Sequence, residues 1–226
     1  MSVIVLGHGI LGKEIVNQTG WDYCSRKNGG LDVSKIISWS QIVLPYDTVV
    51  NCIAHTKTYD KDRTLNWNVN YKFVADLVDY CELHKKKIVH ISTDYIYSNS
   101  NENASEEDVP AHSNNWYSYT KLLADGYIQL KSKNYLICRE SHKPYPFPYP
   151  FAWNDQITNG DYVNVIAGLI IKLINKNATG VYNVGTNKKT WYYHTKDEFN
   201  TKPTNRVEGA PIDISMDISK MENFLG

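Results

Sequence analysis

A tyrosine and a lysine stand four residues apart in Tyr117-Ser118-Tyr119-Thr120-Lys121, and an apolar run before them ends in Ser92-Thr93-Asp94. A spacing of four puts Tyr117 and Lys121 on one face of a helix. A phenol with a pKa of about 10 is a weak acid–base catalyst at neutral pH. A lysine cation beside it stabilises the phenolate and draws that pKa toward the useful range. The hydroxyl of Thr93, at the end of its strand, can donate to the same oxygen. Together the three side chains can move a proton onto a carbonyl oxygen. Tyr119 cannot stand in for Tyr117, because two positions on it points about 200° round the helix.

Such a site needs a source of hydride. Val3–Leu6 reads as a buried strand and runs into Gly7-His8-Gly9-Ile10-Leu11-Gly12, followed by the helical spacing of Lys13-Glu14-Ile15-Val16. Gly-x-Gly-x-x-Gly is weak alone, but between a strand and a helix it is in the setting that dinucleotide binding requires. The glycines permit a tight turn and close backbone approach, and the helix N-terminus then faces a pyrophosphate. His8 is compatible with a phosphate contact or with a plain turn residue. The next strand, Asp22–Ser25, leads into Arg26 and Lys27. A basic residue at this strand end accommodates the 2′-phosphate of NADP, where an acidic one would hold the ribose of NAD. Arg26 and Lys27 therefore favour NADPH, with Ser25 as a further donor; the alternative is a solvated basic turn.

The remaining elements must hold these pieces together. A new unit starts at Leu31-Asp32-Val33, and a helix from Ser34 ends before Pro45. Asp47–Ala54 is a further buried strand, with small residues at its end. Asn68–His84 has the pattern of an amphipathic helix, and Lys85-Lys86-Lys87 reads as its cationic C-terminal end. The strand Ile88–Tyr97 is followed by a long polar loop, Ser98–Asn115, and a helix, Tyr117–Ser132, carrying Leu122, Leu123, Ile128 and Leu130. Asn134–Arg139 is a strand. Lys143–Phe151, which contains Pro-Tyr-Pro-Phe-Pro-Tyr-Pro, cannot be a regular helix or a central strand, and reads as an extended surface segment or lid. A helix over Asp161–Asn175, with Val165, Ile166, Leu169, Ile170 and Leu173 inward, precedes a last strand at Gly180–Gly185. Short helical patterns follow at Thr195–Asn200 and Ile218–Leu225. Alternating strands and helices of this kind give an α/β, doubly wound parallel sheet.

The 226 residues carry 24 basic and 24 acidic side chains. Nothing in that balance points to nucleic acid or to a membrane surface. No apolar run approaches the roughly 20 residues of a membrane span. The N-terminus lacks the basic flank of a signal peptide. The scattered cysteines 24, 52, 81 and 138 read as reduced thiols of a cytoplasmic protein. His90 reads as structural, and the acidic group Glu102, Glu106, Glu107 and Asp108 as a solvated loop. No residue set demands a metal.

Several stretches carry a resemblance: Val-Val-Asn-Cys-Ile-Ala-His-Thr (49–56), Ile-Ser-Thr-Asp-Tyr-Ile-Tyr (91–97), Tyr-Ser-Tyr-Thr-Lys (117–121), Gly-Val-Tyr-Asn-Val-Gly (180–185) and Asp-Ile-Ser-Lys-Met-Glu (217–222). They resemble the extended short-chain dehydrogenases/reductases of the dTDP-4-dehydrorhamnose reductase branch. The resemblance implies a Rossmann domain over residues 1–141. It also implies a small, abbreviated C-terminal substrate-binding region, with the helix at 161–175 and the strand at 180–185 returning to the main sheet. It makes Thr93, Tyr117 and Lys121 the catalytic trio. By the same resemblance Gly9, Ile10 and Leu11 meet the pyrophosphate, with Gly7 and Gly12 shaping the turn. Asp32 and Val33 would meet the adenine, and Cys52, Ile53 and Ala54 the cofactor along its length. Asp94, Tyr95 and His142 would touch a nucleotide-sugar substrate, His142 standing where the family usually has an aromatic residue. The implied reaction is NADPH-dependent reduction of a 4-keto group, in a protein compatible with a homodimer. An epimerase or dehydratase of the same superfamily, or a non-catalytic NADP-binding regulatory protein, are the alternative expectations.

Overall fold

The computed structural model describes residues 2–226. Six short strands form one sheet: β1 (Val3–Leu6), β2 (Asp22–Cys24), β3 (Thr48–Asn51), β4 (Lys87–Thr93), β5 (Tyr135–Glu140) and β9 (Gly180–Asn183). Their spatial order is β2-β1-β3-β4-β5-β9, and every pairing is parallel. The β1, β3 and β4 strands are buried along their whole length, as expected when helices cover both faces. On one face lie α1 (Ile10–Thr19) and α6 (Val163–Asn175), packed through Leu11, Ile15, Ile166, Ile170 and Leu173. On the other lie α2 (Ile36–Val43), α4 (Phe73–Leu83) and α5 (Trp116–Lys131), packed through Trp39, Phe73, Leu77, Ala124 and Ile128. Burying each of the larger of these side chains contributes about 1.5–3 kcal/mol, and truncating one of the Leu or Ile residues to Ala costs about 2–5 kcal/mol.

The chain order reverses across β1 and β3, so the crevice beyond their carboxyl ends is the switch point where ligands of such sheets sit. The turn after β1 and the residues after β3 flank that crevice. Asn70 fixes the second of these. Its Oδ1 accepts from His55 N (2.7 Å) and its Nδ2 donates to His55 O (3.1 Å). Asn70 reaches there from a π-helical turn, Trp67–Lys72, that joins α3 (Arg63–Asn66) to α4 in one continuous helical run. This run therefore starts earlier than Asn68, at the Asp62 cap, whose carboxylate accepts from Leu65 N.

Three expectations need correction. Only Lys85 of the lysine run is an exposed helix end. Lys86 turns inward and donates to the carbonyls of Leu44 and Tyr46, both at 2.6 Å. Lys87 begins β4 and donates to Asn177 Oδ1 and Ala178 O. The run looked solvated because charge says nothing of which carbonyls lack partners. Val165, expected on the inward face of its helix, is exposed, whereas Ile166 and Ile170 of the same expectation are buried. Glu106 is not merely solvated either: its carboxylate accepts from Asn183 N at 2.7 Å and ties the polar loop to β9.

A smaller wall stands beside the sheet. β6 (His142–Lys143) pairs with β8 (Asp161–Tyr162), and β7 (Phe151–Trp153) pairs with β10 (Lys202–Thr204), both in parallel. Phe147, Tyr162 and Trp191 fill its small core, with α7 (Trp191–Phe199) across it. Asp161 braces it, accepting from His194 Nε2 (3.0 Å) and Lys189 Nζ (2.8 Å). These contacts hold the Asp161 carboxyl well below its usual range, against the effect of its burial. α8 (Ser219–Leu225) closes the chain under β9, with Met221 buried.

Candidate active site

The Gly-rich turn is built on steric necessity. Gly7 has φ +94°, a backbone region that favours glycine. A Cβ on Gly12 would lie 2.1 Å from the Gly7 carbonyl oxygen. At Gly9, by contrast, a Cβ would meet nothing within 4 Å, because the residue faces the cleft. Gly9 starts α1 and no side chain caps that helix. The first N–H groups of α1 are thus available to an anion, and the helix dipole favours one. An open floor at Gly9, a close approach at Gly7 and Gly12, and an uncapped N-terminus fit the pyrophosphate of a dinucleotide.

From there a cleft of about 980 Å³ runs past Cys52 and Ala54 to Thr93, Asp94, Tyr95, Tyr117, Lys121 and His142. The expected catalytic trio and the expected substrate contacts therefore share one cavity with Gly9, Ile10, Leu11 and Gly12. The other cofactor candidates lie outside its lining. Arg26 and Lys27 are exposed in the turn after β2, where Ser25 Oγ accepts from Asn28 N. Asp32 spends its carboxylate on Ser34 N and Oγ, and Val33 packs against the core. Ile53 N donates to Asn51 Oδ1. His8 stacks on Tyr23. Tyr119 points away, toward Trp116 and His112, as its helical position demands.

Asn115 caps α5 by accepting from Ser118 N, which sets Tyr117 in the first turn beside the cleft. Burial pushes the Tyr117 phenol above its ordinary value. The Thr93 hydroxyl opposes that shift, and the carboxylates of Glu140, Asp94 and Asp125 add to it. This differs from the lowered phenol that the Tyr–Lys spacing suggested. The reason is burial, which outweighs the other contributions. Lys121 is itself 1 % exposed and donates to Ile91 O at 2.6 Å, with His90 Nε2 3.0 Å away. Burial draws its amine down to about 8, opposed by Asp125, Glu140 and Cys52. His90, expected to be structural, is thus a neighbour of Lys121.

Asp94 is buried, within reach of the hydroxyls of Thr93 (3.3 Å) and Thr158 (3.4 Å). Burial, reinforced by Glu140, pushes its carboxyl up to about 7. His142 meets Glu140 Oε2 at 2.9 Å. Burial pulls that imidazole down, but the Glu140 carboxylate outweighs it and raises the pKa above the ordinary histidine value. Tyr95 and Tyr59 share a hydroxyl contact at 3.2 Å across the cleft mouth. Sequence reasoning missed Glu140, Lys143 and the aromatic wall of Phe147, Tyr149, Phe151, Trp153 and Trp191 that lines the far side. The aromatic density of 145–153 was the available signal for that wall. Among the described residues no His, Cys, Asp and Glu cluster is arranged to hold a metal ion, and no helix is long and apolar enough to cross a membrane.

A family model described as "RmlD substrate binding domain" matches residues 1–142. Among solved structures, a dTDP-4-dehydrorhamnose reductase of Clostridium acetobutylicum has a TM-score of 0.86 at 19 % identity, over 100 % of this chain and 93 % of its own. The dTDP-4-dehydrorhamnose reductase of Bacillus anthracis, in complex with NADP, has a TM-score of 0.83 at 24 % identity, over 99 % and 92 %. A UDP-glucuronic acid 4-epimerase of Bacillus cereus, in complex with NAD, has 0.80 at 18 %, over 100 % and 92 %. At these identities the likeness is one of fold.

Proposed function

The chain belongs to the RmlD substrate binding domain family, and from that premise we propose that it is an NAD(P)-dependent oxidoreductase of the short-chain dehydrogenase/reductase type. Its substrate in this reading is a nucleotide-linked deoxysugar with a 4-keto group, and its preferred cofactor is NADPH. One observation carries the reading: Thr93, Tyr117 and Lys121 line the same cleft as the uncapped, glycine-built N-terminus of α1. The nicotinamide supplies hydride to the keto carbon when bound. Gly9 to Gly12, Cys52 and Ala54 would hold the dinucleotide, with Arg26 and Lys27 toward its 2′-phosphate.

The protein's own part is the proton. A phenol pushed up by burial stays protonated at neutral pH. Tyr117 is therefore in its donor form, and gives its proton as negative charge develops on the sugar oxygen. Thr93 donates to the same oxygen, and its position at the end of β4 keeps that hydroxyl fixed. Asp94, Tyr95 and His142 orient the sugar, and the aromatic wall excludes water behind it.

The test is direct. Purified protein should consume NADPH with a dTDP-, UDP- or GDP-linked 4-keto-6-deoxysugar, and Tyr117→Phe should abolish turnover while leaving NADPH binding intact. Bound cofactor with no net consumption on any of these sugars would sink the reductase reading in favour of an epimerase or a binding protein. Arg26→Ala should raise the Michaelis constant for NADPH far more than that for NADH. Equal effects would remove the phosphate role.

A further inference from the structure

A hydrogen-bond chain behind Lys121 is left unused by the reaction described above. His90 sits in the middle of β4 and is 0 % exposed. Strand alternation puts it on the face of Ile88, which packs with α4 and α5, so it meets Lys121 there. Its Nδ1 lies 3.2 Å from Nδ2 of Asn51, at the end of β3. The other end of that amide is fixed, because Asn51 Oδ1 accepts from Ile53 N at 3.1 Å. An amide NH2 only donates, so His90 Nδ1 must be the acceptor and the ring proton resides on Nε2. That Nε2–H points at Lys121 Nζ, 3.0 Å away. An ammonium has no lone pair to receive it. A neutral amine does, and still donates to Ile91 O at 2.6 Å.

From this chain we propose that Asn51 and His90 are positioning residues that make Lys121 a proton-exchanging amine, not a fixed cation. The use of such an amine rests on the reductase reading. After Tyr117 has given its proton to the sugar oxygen, the ammonium form of Lys121 passes one N–H proton to the Tyr117 phenolate, which regains its O–H, and Lys121 is left as the neutral amine. The lone pair left on Nζ accepts from His90 Nε2–H, and Lys121 recovers its proton from solvent. Charged and titratable groups face Lys121 from each neighbouring element: Asp125 and Tyr117 from α5, Glu140 from β5, His90 from β4 and Cys52 from the end of β3. The two carboxylates favour the ammonium, but Glu140 is engaged by His142 and Asp125 by Arg139. Burial opposes the ammonium, and burial together with Lys121 holds His90 well below its ordinary value, so that His90 stays neutral.

The experiment is NMR on the full chain without cofactor, so it does not depend on which sugar, if any, is reduced. Imidazole nitrogen shifts should report the Nε2–H tautomer of His90. Labelled lysine, assigned with Lys121→Met, should show Lys121 titrating near pH 8. Asn51→Asp offers His90 Nδ1 an acceptor in place of a donor. It should turn the ring to the Nδ1–H tautomer and move the Lys121 titration up to the ordinary lysine value of about 10.4. In turnover, the same variant should shift the alkaline limb of kcat upward with the Michaelis constant for the sugar little changed. A wild-type His90 in the Nδ1–H form, or a Lys121 that titrates like an ordinary lysine, overturns the proposal, and either can be read if Asn51→Asp does not fold. A folded Asn51→Asp with Lys121 unmoved overturns it as well, because a merely structural role would leave that titration where it was.

Discussion

Replacing Gly12 with alanine tests whether the first turn is held by backbone contact. The new Cβ would lie 2.1 Å from the Gly7 carbonyl oxygen, 3.1 Å from its carbonyl carbon and 3.3 Å from Cys52 Cβ, where 3.4–4 Å is ordinary contact. The nearest atoms are backbone and cannot rotate away. Gly7 is held in turn by its N–H bond to Cys24 O at 2.8 Å. The turn must therefore open or α1 must slide along the sheet. Overpacking of this kind costs about 1–3 kcal/mol. For a domain of this size each kcal/mol lowers the melting temperature by roughly 2–4 °C. The same displacement moves the free N–H groups of α1, so dinucleotide affinity should fall by about tenfold or more, each tenfold being about 1.4 kcal/mol. The control is Gly126→Ala, in α5, where a Cβ meets nothing within 4 Å. That change should stabilise by about 0.4–1 kcal/mol and leave cofactor binding alone. Thermal melts with and without NADPH, plus fluorescence titration of NADPH, read both variants. A Gly12→Ala protein that melts with the wild type and binds NADPH equally well would refute the steric argument.

Two further outcomes follow from buried charges. Lys86→Met leaves the carbonyls of Leu44 and Tyr46 without their donor and should cost about 1–3 kcal/mol for each carbonyl that stays buried, while Lys85→Met, at the exposed helix end, should stay within about 0.5 kcal/mol in denaturant melts. Asp94 has a folded pKa raised to about 7, above its unfolded value of about 3.9. Its contribution to stability is thus fully present below about pH 4 and is lost as pH rises through about 7, with an upper bound on the order of 4 kcal/mol. Thermal melts from pH 4 to pH 8 should show Asp94→Asn gaining on the wild type as pH rises, and parallel curves would show that Asp94 is not perturbed.

The cofactor half was legible because its signals are local. A strand of apolar residues, a turn that only glycine permits and a helix with a Tyr–Lys face can each be read within a few positions. The wall was not, because its strands are two or three residues long and each finds its partner far along the chain: His142 beside Asp161, Phe151 beside Lys202. Pairing at such distance leaves no periodicity. The expectations for Lys86, Lys87 and Glu106 missed for a related reason. Whether a charged side chain is solvated depends on which backbone groups the fold leaves without partners, and those of Tyr46, Ala178 and Asn183 lie on other elements. His90 looked structural because a buried histidine gives no sign of its neighbours until α5 lies over β4.

The late closure of that wall bears on how the protein is made. Chains emerge N-terminus first, and domains tend to fold as they appear. β1 to β5 can assemble once β5 has left the ribosome, since each strand after β1 pairs with one already made. β7 cannot, because its partner β10 comes only after α6, β9 and α7. A nascent chain paused before Lys202 would thus present a formed dinucleotide half beside an unpaired strand edge and a loose run of tyrosines, prolines and phenylalanines. That interval is when the chain is most exposed to aggregation and to chaperones. Synonymous changes in translation speed over residues 150–200 should alter yield more than the same changes over the first hundred codons.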